Sequence, residues 1–278
     1  MHPEVYTPEP LTSERQELKY LVEQSRAQAL VQLLFRHLPR HRFTGEGANK
    51  LPEPRHYVTT IYFDTPSRDL YRAAVGSDTN LKLRAKEYYD VHPHLVETAT
   101  DPRQLVRYRP ELWLELKHKD GTRTGKRRVG IPKQEVPVFF TQGIVTPEMI
   151  RIQQRTHGAE ADQVLREVAD LCRRFAEPLR ADCLVNYRRA AFQDDPGTLR
   201  VTLDLALAFY DPPEDLWRRN YALVRETLGE PRQSEGRCVL EVKSRGPWPA
   251  WLGPALSDMG AVRHAYSKFE AASKAVRG

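Results

Sequence analysis

Between Leu112 and Ile131, apolar and charged residues alternate with a period of two, the repeat of a β-strand. Leu112, Leu114 and Leu116 fall on one face; Trp113, Glu115, Lys117 and Lys119 fall on the other. Asp120-Gly121 opens a Gly-rich turn, which predicts a hairpin whose return strand carries Lys126 and Arg128 on one face. Similar two-residue patterning predicts strands from Arg15 to Val22, Leu81 to Lys86, Leu199 to Phe209 and Arg237 to Lys243; β-branched and aromatic residues predict one from His56 to Phe63, and a further strand is read from Leu184 to Phe192. Asp195-Pro196-Gly197 marks a turn between two of them.

A period of three to four predicts the helices. Ser25 reads as the N-cap of a helix striped by Leu30, Leu33, Leu34 and Leu38 and ended by Pro39. Thr146-Pro147 reads as a helix start, and Val164, Leu165, Val168, Leu171, Cys172 and Phe175 predict an amphipathic helix to about Phe175. Further helices are expected from Pro212 to about Leu228, from Pro249, and after a Ser267 cap ahead of Lys268 and Glu270. Residues 1–14 read as a Pro-rich flexible tail, 40–56 and 91–110 as loops, and about 133–180 as a helical insertion within one domain over 15–278.

Composition narrows the class only slightly. The 278 residues are 40% hydrophobic and 29% charged, with 43 Lys+Arg against 37 Asp+Glu for a net charge of +6. That excess suggests a polyanionic partner without choosing one. Three scattered cysteines, Cys172, Cys183 and Cys238, exclude a disulfide scaffold and suit a reducing compartment. No apolar run reaches the ~20 residues of a membrane span, and the acidic, Pro-rich start is no signal peptide. A cytoplasmic location is expected.

The charged strand faces carry the chemistry. They occur at Glu17/Lys19, Lys82/Arg84/Lys86, Glu115/Lys117/Lys119, Lys126/Arg128, Arg200/Asp204 and Glu241/Lys243. One such strand marks a half-solvated sheet. The set is different, because long cations dominate and like charges across a sheet repel. A bound polyanion and a metal ion would neutralise them. Glu115 and Glu241 each stand two residues before a lysine, which suits an Mg²⁺ or Mn²⁺ ligand bridging to phosphate oxygens, or a plain ion pair with those lysines. Closing the sheet with charges inward gives a phosphate-binding barrel whose apolar outside the helices would cover.

The chain resembles the VTC domain, the polyphosphate polymerase domain of vacuolar transporter chaperone complexes and their bacterial relatives, within the triphosphate tunnel metalloenzyme (CYTH-like) superfamily. The matching pieces, in order, are Glu17-Leu18-Lys19-Tyr20, Tyr62-Phe63-Asp64-Thr65, Lys82-Leu83-Arg84-Ala85-Lys86, Leu114-Glu115-Leu116-Lys117, Tyr187-Arg188-Arg189-Ala190-Ala191-Phe192, Leu199 to Asp204, Leu240-Glu241-Val242-Lys243 and Ser267-Lys268-Phe269. The resemblance implies an α+β fold: a closed antiparallel β-barrel, the tunnel, with helices packed outside. It implies transfer of the γ-phosphate of ATP to a growing polyphosphate chain, with Mn²⁺ or Mg²⁺ as cofactor. By motif position Lys19, Arg84, Lys86, Lys117, Arg189, Arg200 and Lys268 would hold phosphates, with Lys82 and Lys243 nearby. Glu241 is the first choice of metal ligand and Glu115 the second.

A hydrolase of triphosphate or nucleoside triphosphates, and a non-catalytic polyphosphate-binding module, would use the same face. Two departures from the pattern stand out. Arg15 replaces the first glutamate of the superfamily's first strand, as in VTC domains and unlike the superfamily's triphosphatases. Lys86 replaces the second arginine of the polymerases' Arg-x-Arg, keeping charge but losing the bidentate fork.

Weaker signals add little. Gly121 to Lys126 imitates a phosphate-binding loop but is one residue short and lies between strands. His92 and His94 lack a third ligand. Tyr88-Tyr89 could stack on bases, but no RNA-binding signature accompanies them and no nucleic-acid partner is expected. Trp217, Trp248 and Trp251 suit a core or an interface.

Overall fold

A computed structural model describes residues 16–39, 55–75, 79–89, 108–120 and 123–278. The expected tail with Arg15, most of the two predicted loops with His92 and His94, and the hairpin tip at 121–122 lie outside the described residues. The strands are β1 (Gln16–Glu23), β2 (Arg55–Asp64), β3 (Thr79–Tyr89), β4 (Glu111–Asp120), β5 (Arg123–Pro132), β6 (Arg180–Gln193), β7 (Leu199–Tyr210), β8 (Gln233–Ser234), β9 (Arg237–Ser244) and β10 (Val262–Arg263). The helices are α1 (Ala27–His37), α2 (Asp69–Ala74), α3 (Val136–Gln142), α4 (Pro147–His157), α5 (Ala161–Cys172), α6 (Arg225–Leu228), α7 (Leu252–Asp258) and α8 (Lys268–Arg277). Among the described residues no helix is long and apolar enough to cross a membrane.

All ten strands join one antiparallel sheet in the order β10-β1-β9-β7-β6-β2-β3-β4-β5, with β8 added beside β7. Alternation sorts its two faces as the sequence predicts. On the outer face Leu112, Leu114, Leu116, Val129 and Ile131 merge with Phe139 and Phe140 of α3 and Leu165 and Val168 of α5 into one buried cluster. A second cluster joins Leu30 and Leu34 of α1 to Val201 and Leu203 of β7, Leu240 and Val242 of β9, and Leu252 and Leu256 of α7. The insertion therefore covers one half of the outside, and α1 with α7 covers the other.

The expected closed barrel does not form. Among the described residues no strand pair joins β5 to β1 or β10, so the sheet is curled but open. The reason lies in α4, which runs along the free edge of β5. Gly130 N–H donates to Gln153 Oε1 at 2.9 Å, and Gln153 Nε2 donates to the Arg128 carbonyl at 3.2 Å. Gln153 is fully buried. Its amide takes the backbone groups a neighbouring strand would need, which is also how a sheet edge is protected from adventitious pairing. Met149 of the same helix belongs to the outer core, whereas Ile152 reaches toward the inner side of Gly130.

Local signals hold where they bind backbone. Thr146 accepts the Met149 N–H at 3.3 Å, and Ser267 accepts the Glu270 N–H at 3.3 Å. Gly197 takes φ +70° in the predicted turn. Two helix readings fail. Ser25 lies in a 3₁₀ turn, Gln24–Arg26, ahead of α1 and makes no capping bond. Residues 212–224 form turns, leaving only the short α6 helical. That segment is held across the outer face instead: Leu223 N–H donates to Glu87, the Leu223 carbonyl accepts from Thr59 at 2.5 Å, and Leu216 and Leu223 are buried. Tertiary burial outweighs helix propensity there.

Gln153→Ala should leave the Gly130 N–H and the Arg128 carbonyl buried without these partners. A loss of about 2 kcal/mol is expected, read as a lower urea midpoint at unchanged slope.

Candidate functional site

The inner face is assembled by register. Lys19 stands opposite Glu241, and Glu17 opposite Lys243. On β9's other side Lys243 meets Arg200 and Glu241 meets Thr202. Asp204 meets Arg189 of β6. Across β2 and β3, Thr60 pairs with Lys86 and Tyr62 with Arg84. Arg84 then faces Glu115, Lys82 faces Lys117, and β5 brings Arg128 to Glu115 and Lys126 to Lys117. The outer apolar cores fix this parity, because a one-residue slip would turn every cation into the core.

Curling brings the ends of the sheet together over this face. Burial lowers the Lys117 ammonium pKa, and Lys117 also interacts with Glu17 and Lys19 of β1 and Lys243 of β9. Those strands lie at the opposite end of the sheet order. The concave side is thus one electrostatic compartment.

Three carboxylates organise it. Glu115 binds Lys126 at 2.7 Å and Arg84 Nε at 3.0 Å, with Lys86 at 3.9 Å. Burial opposes its ionisation, but Lys86, Arg84 and Lys126 outweigh burial and hold its carboxyl at about 2. Asp204, only 1% exposed, accepts both arms of the Arg189 fork at 2.6 and 2.7 Å and pairs with Lys268 at 2.6 Å. Burial again opposes, and Arg189 and Lys268 prevail, so its carboxyl stays below the usual range. Glu241 binds Lys243 at 2.7 Å. Against burial, Lys243, Lys19, Lys268 and Arg189 hold it well below the ordinary value. Cations without so close a partner show the cost: burial and repulsion from Arg84 and Arg189 push the Lys86 ammonium well down.

The C-terminal helix α8 enters the compartment by its N-terminus. Lys82 Nζ donates to Ser267 Oγ and Glu270 Oε1, both at 3.0 Å. Lys19 Nζ donates to the Tyr266 carbonyl at 2.9 Å. Tyr187, fully enclosed, lies under the cationic groups of Arg189 and Lys268, each 5.2 Å from its ring.

The structure brings every sequence-predicted residue to this one side: Lys19, Lys82, Arg84, Lys86, Lys117, Arg189, Arg200, Lys243, Lys268, Glu115 and Glu241. Lys82 is held by the α8 cap. Asp204, Tyr187, Lys126 and Glu17 belong to the same site but are absent from that set. Parity alone marks Asp204 and Glu17. The closure of Asp204 by two cations depends on α8 and had no local signal. A narrow crevice on the outer side, lined by Ile61, Glu87, Lys133 and Trp217, is separate and closed by the Lys133–Glu87 ion pair.

For a metal, the donor set fits one kind of binding only. Among the described residues no group of three or more His, Cys, Asp or Glu could form a protein cage. Glu17 and Glu241 both reach the Lys243 ammonium, at 3.4 and 2.7 Å, so the two carboxylates are neighbours. Thr202 Oγ1, opposite Glu241 and buried, has no hydrogen-bond partner among the described residues. One or two carboxylates completed by substrate phosphate oxygens is the usual Mg²⁺ arrangement, and these residues suit it.

The depressed carboxyl of Glu115 makes stability pH-dependent. Its stabilising contribution is complete above the unfolded value of 4.5 and is lost as pH falls through the folded value of about 2. Glu115→Gln should remove up to roughly 3 kcal/mol of stability at neutral pH and flatten the stability–pH curve within that window. Denaturant unfolding across pH checks it, and an unchanged slope would place Glu115 outside the network.

Comparison with known proteins identifies the sequence family. A sequence model of the VTC domain matches residues 14–277. Solved structures of similar shape include HpAC1 from Hippeastrum, an adenylyl cyclase candidate with a dominant triphosphatase activity, at 15% identity and TM-score 0.47 over 94% of this chain and 95% of that one. An adenylate cyclase candidate from Bacillus halodurans aligns at 14% identity and TM-score 0.48 over 93% of this chain and 97% of that one. No curated protein matches the sequence. The family assignment rests on the sequence model, which spans nearly the whole chain: the chain belongs to the VTC domain family.

Proposed function

We propose that this chain is a polyphosphate polymerase, moving the γ-phosphate of ATP onto a growing polyphosphate chain on its concave face. The observation that carries the reading is the convergence of cations from distant strands on one face: Lys19 of β1 reaches the Tyr266 carbonyl, Lys82 of β3 reaches Ser267, and Arg189 of β6 meets Lys268 on Asp204. Phosphoryl transfer asks little of an acid or base and much of positioning and charge stabilisation. Arg84, Arg189 and Arg200 supply planar donors, and Lys19, Lys86, Lys117, Lys243 and Lys268 supply point charges.

The roles divide among the carboxylates. Glu115 and Asp204 hold cations in place, because each is saturated by them. Glu241, with Glu17 beside it and the Thr202 hydroxyl opposite, is the position for Mn²⁺ or Mg²⁺. When bound, the ion supplies Lewis-acid neutralisation of phosphate charge. The cations orient two phosphate groups in line and stabilise charge as it shifts to the leaving diphosphate. Phosphate charge placed among these cations also relieves the repulsion among Lys82, Lys117 and Lys126.

Product identity tests the proposal. Protein incubated with ATP and Mn²⁺ should yield ADP and a long polyanion on a stained gel. Orthophosphate alone would make it a hydrolase, and tight polyphosphate binding without ADP would make it a binding module. Glu241→Gln should lower metal-dependent turnover by roughly a hundredfold or more while the folded circular dichroism spectrum persists. Arg200→Ala should weaken tripolyphosphate binding by roughly tenfold, measured by calorimetry; unchanged affinity would remove Arg200 from the phosphate path.

A further inference from the structure

Strand polarity gives the concave face two unlike ends. The end where β3 begins and β4 finishes meets the N-terminus of α8 through Lys82. The other end is where β3 finishes and β4 begins, and there aromatic side chains join the cations on the inner face. Trp113 stands two residues beyond Glu115 on the same side of β4, and Tyr88 two beyond Lys86 on the same side of β3. Tyr88 is 37% exposed and Trp113 is half-buried.

The Trp113 ring is held in a built position. It lies over Gly130, its partner across the hairpin, where an added Cβ would come within 3.2 Å of the indole and 2.5 Å of Ile152. The Arg128 guanidinium sits over the ring at 4.9 Å. Glycine, isoleucine and arginine thus fix an indole at the rim of an anion-binding face. A rim that bound only phosphates would gain nothing from a flat apolar ring. A nucleotide would, because its phosphates seek cations and its base seeks a π-face.

We propose that Trp113, held by Gly130 and Ile152 with the Arg128 guanidinium over one side of its ring, is the platform for the base of a nucleoside triphosphate whose phosphates occupy the concave face. The assignment rests on the phosphate reading above and adds the nucleoside to it. Two residues of strand, about 7 Å, separate Trp113 from Glu115, a gap a ribose spans. Stacking is tolerant of base identity, so purine triphosphates should all bind and pyrimidine ones more weakly.

Calorimetry on the full chain in magnesium buffer, with ATP and with inorganic tripolyphosphate, separates the outcomes. Trp113→Ala should weaken ATP by about tenfold and tripolyphosphate by less than about twofold, with Trp113→Phe keeping most of the ATP affinity. Equal loss for both ligands would make Trp113 a prop of the phosphate wall and overturn the platform. No loss for either would overturn it and leave the phosphate reading intact. Failure of the unmodified chain to bind tripolyphosphate would bring down both.

Discussion

The structure depends on how positive charge is tolerated on the inside of a curled sheet. Register sets Lys82 against Lys117, Lys117 against Lys126 and Arg200 against Lys243. Like charges opposite one another destabilise a sheet, and burial raises that cost by removing water. The chain offsets it with a few carboxylates, each placed among several cations. Glu115 serves β3 and β5, while Asp204 ties β6 to α8. Burial first, with repulsion from neighbouring cations added, still lowers the pKa of the Lys86 and Lys117 ammonium groups. For the polyanion proposed as ligand, donors are already oriented and repulsion is ready to be relieved, so the proposed binding and the fold share one electrostatic constraint.

Shape follows from the same division of faces. Because the inside is charged, the apolar outside must be covered, and the insertion does this for one half of the sheet. Its helix α4 also occupies the edge of β5 through Gln153. The element that completes the outer core is therefore the one that ends the sheet. Curl without closure still brings β1 and β3, from distant places in the sheet, to adjacent residues ahead of α8, Lys19 to Tyr266 and Lys82 to Ser267. The α8 N-terminus then differentiates the two ends, leaving the rim near Trp113 as the side where something other than phosphate can be met.

Much of this was legible in the chain. Period-two alternation assigned the faces correctly, because the side-chain direction of a strand is a local property. The Thr146 and Ser267 caps were readable for the same reason: a hydroxyl binding an amide three residues on needs no distant partner. The failures were non-local. Ser25 has the right chemistry for a cap, but the chain enters α1 through a 3₁₀ turn. Residues 212–224 carry helix-compatible residues, yet Thr59 and Glu87 capture the backbone of Leu223 and flatten the segment onto the sheet.

The sequence by itself determined which residues are cations, which carboxylates stand among them, and that nearly all of them, Lys268 of α8 apart, lie on strands opposite a leucine-rich side. It also placed the chain in its family through eight short motifs in order. Only the tertiary structure decided that the sheet stays open, that Lys82 is held by α8, and that Asp204 rather than a surface partner anchors Arg189 and Lys268. The reason is one of range. Alternation and capping act over two to four residues, whereas curl, edge coverage and charge pairing are settled between groups dozens to hundreds of residues apart.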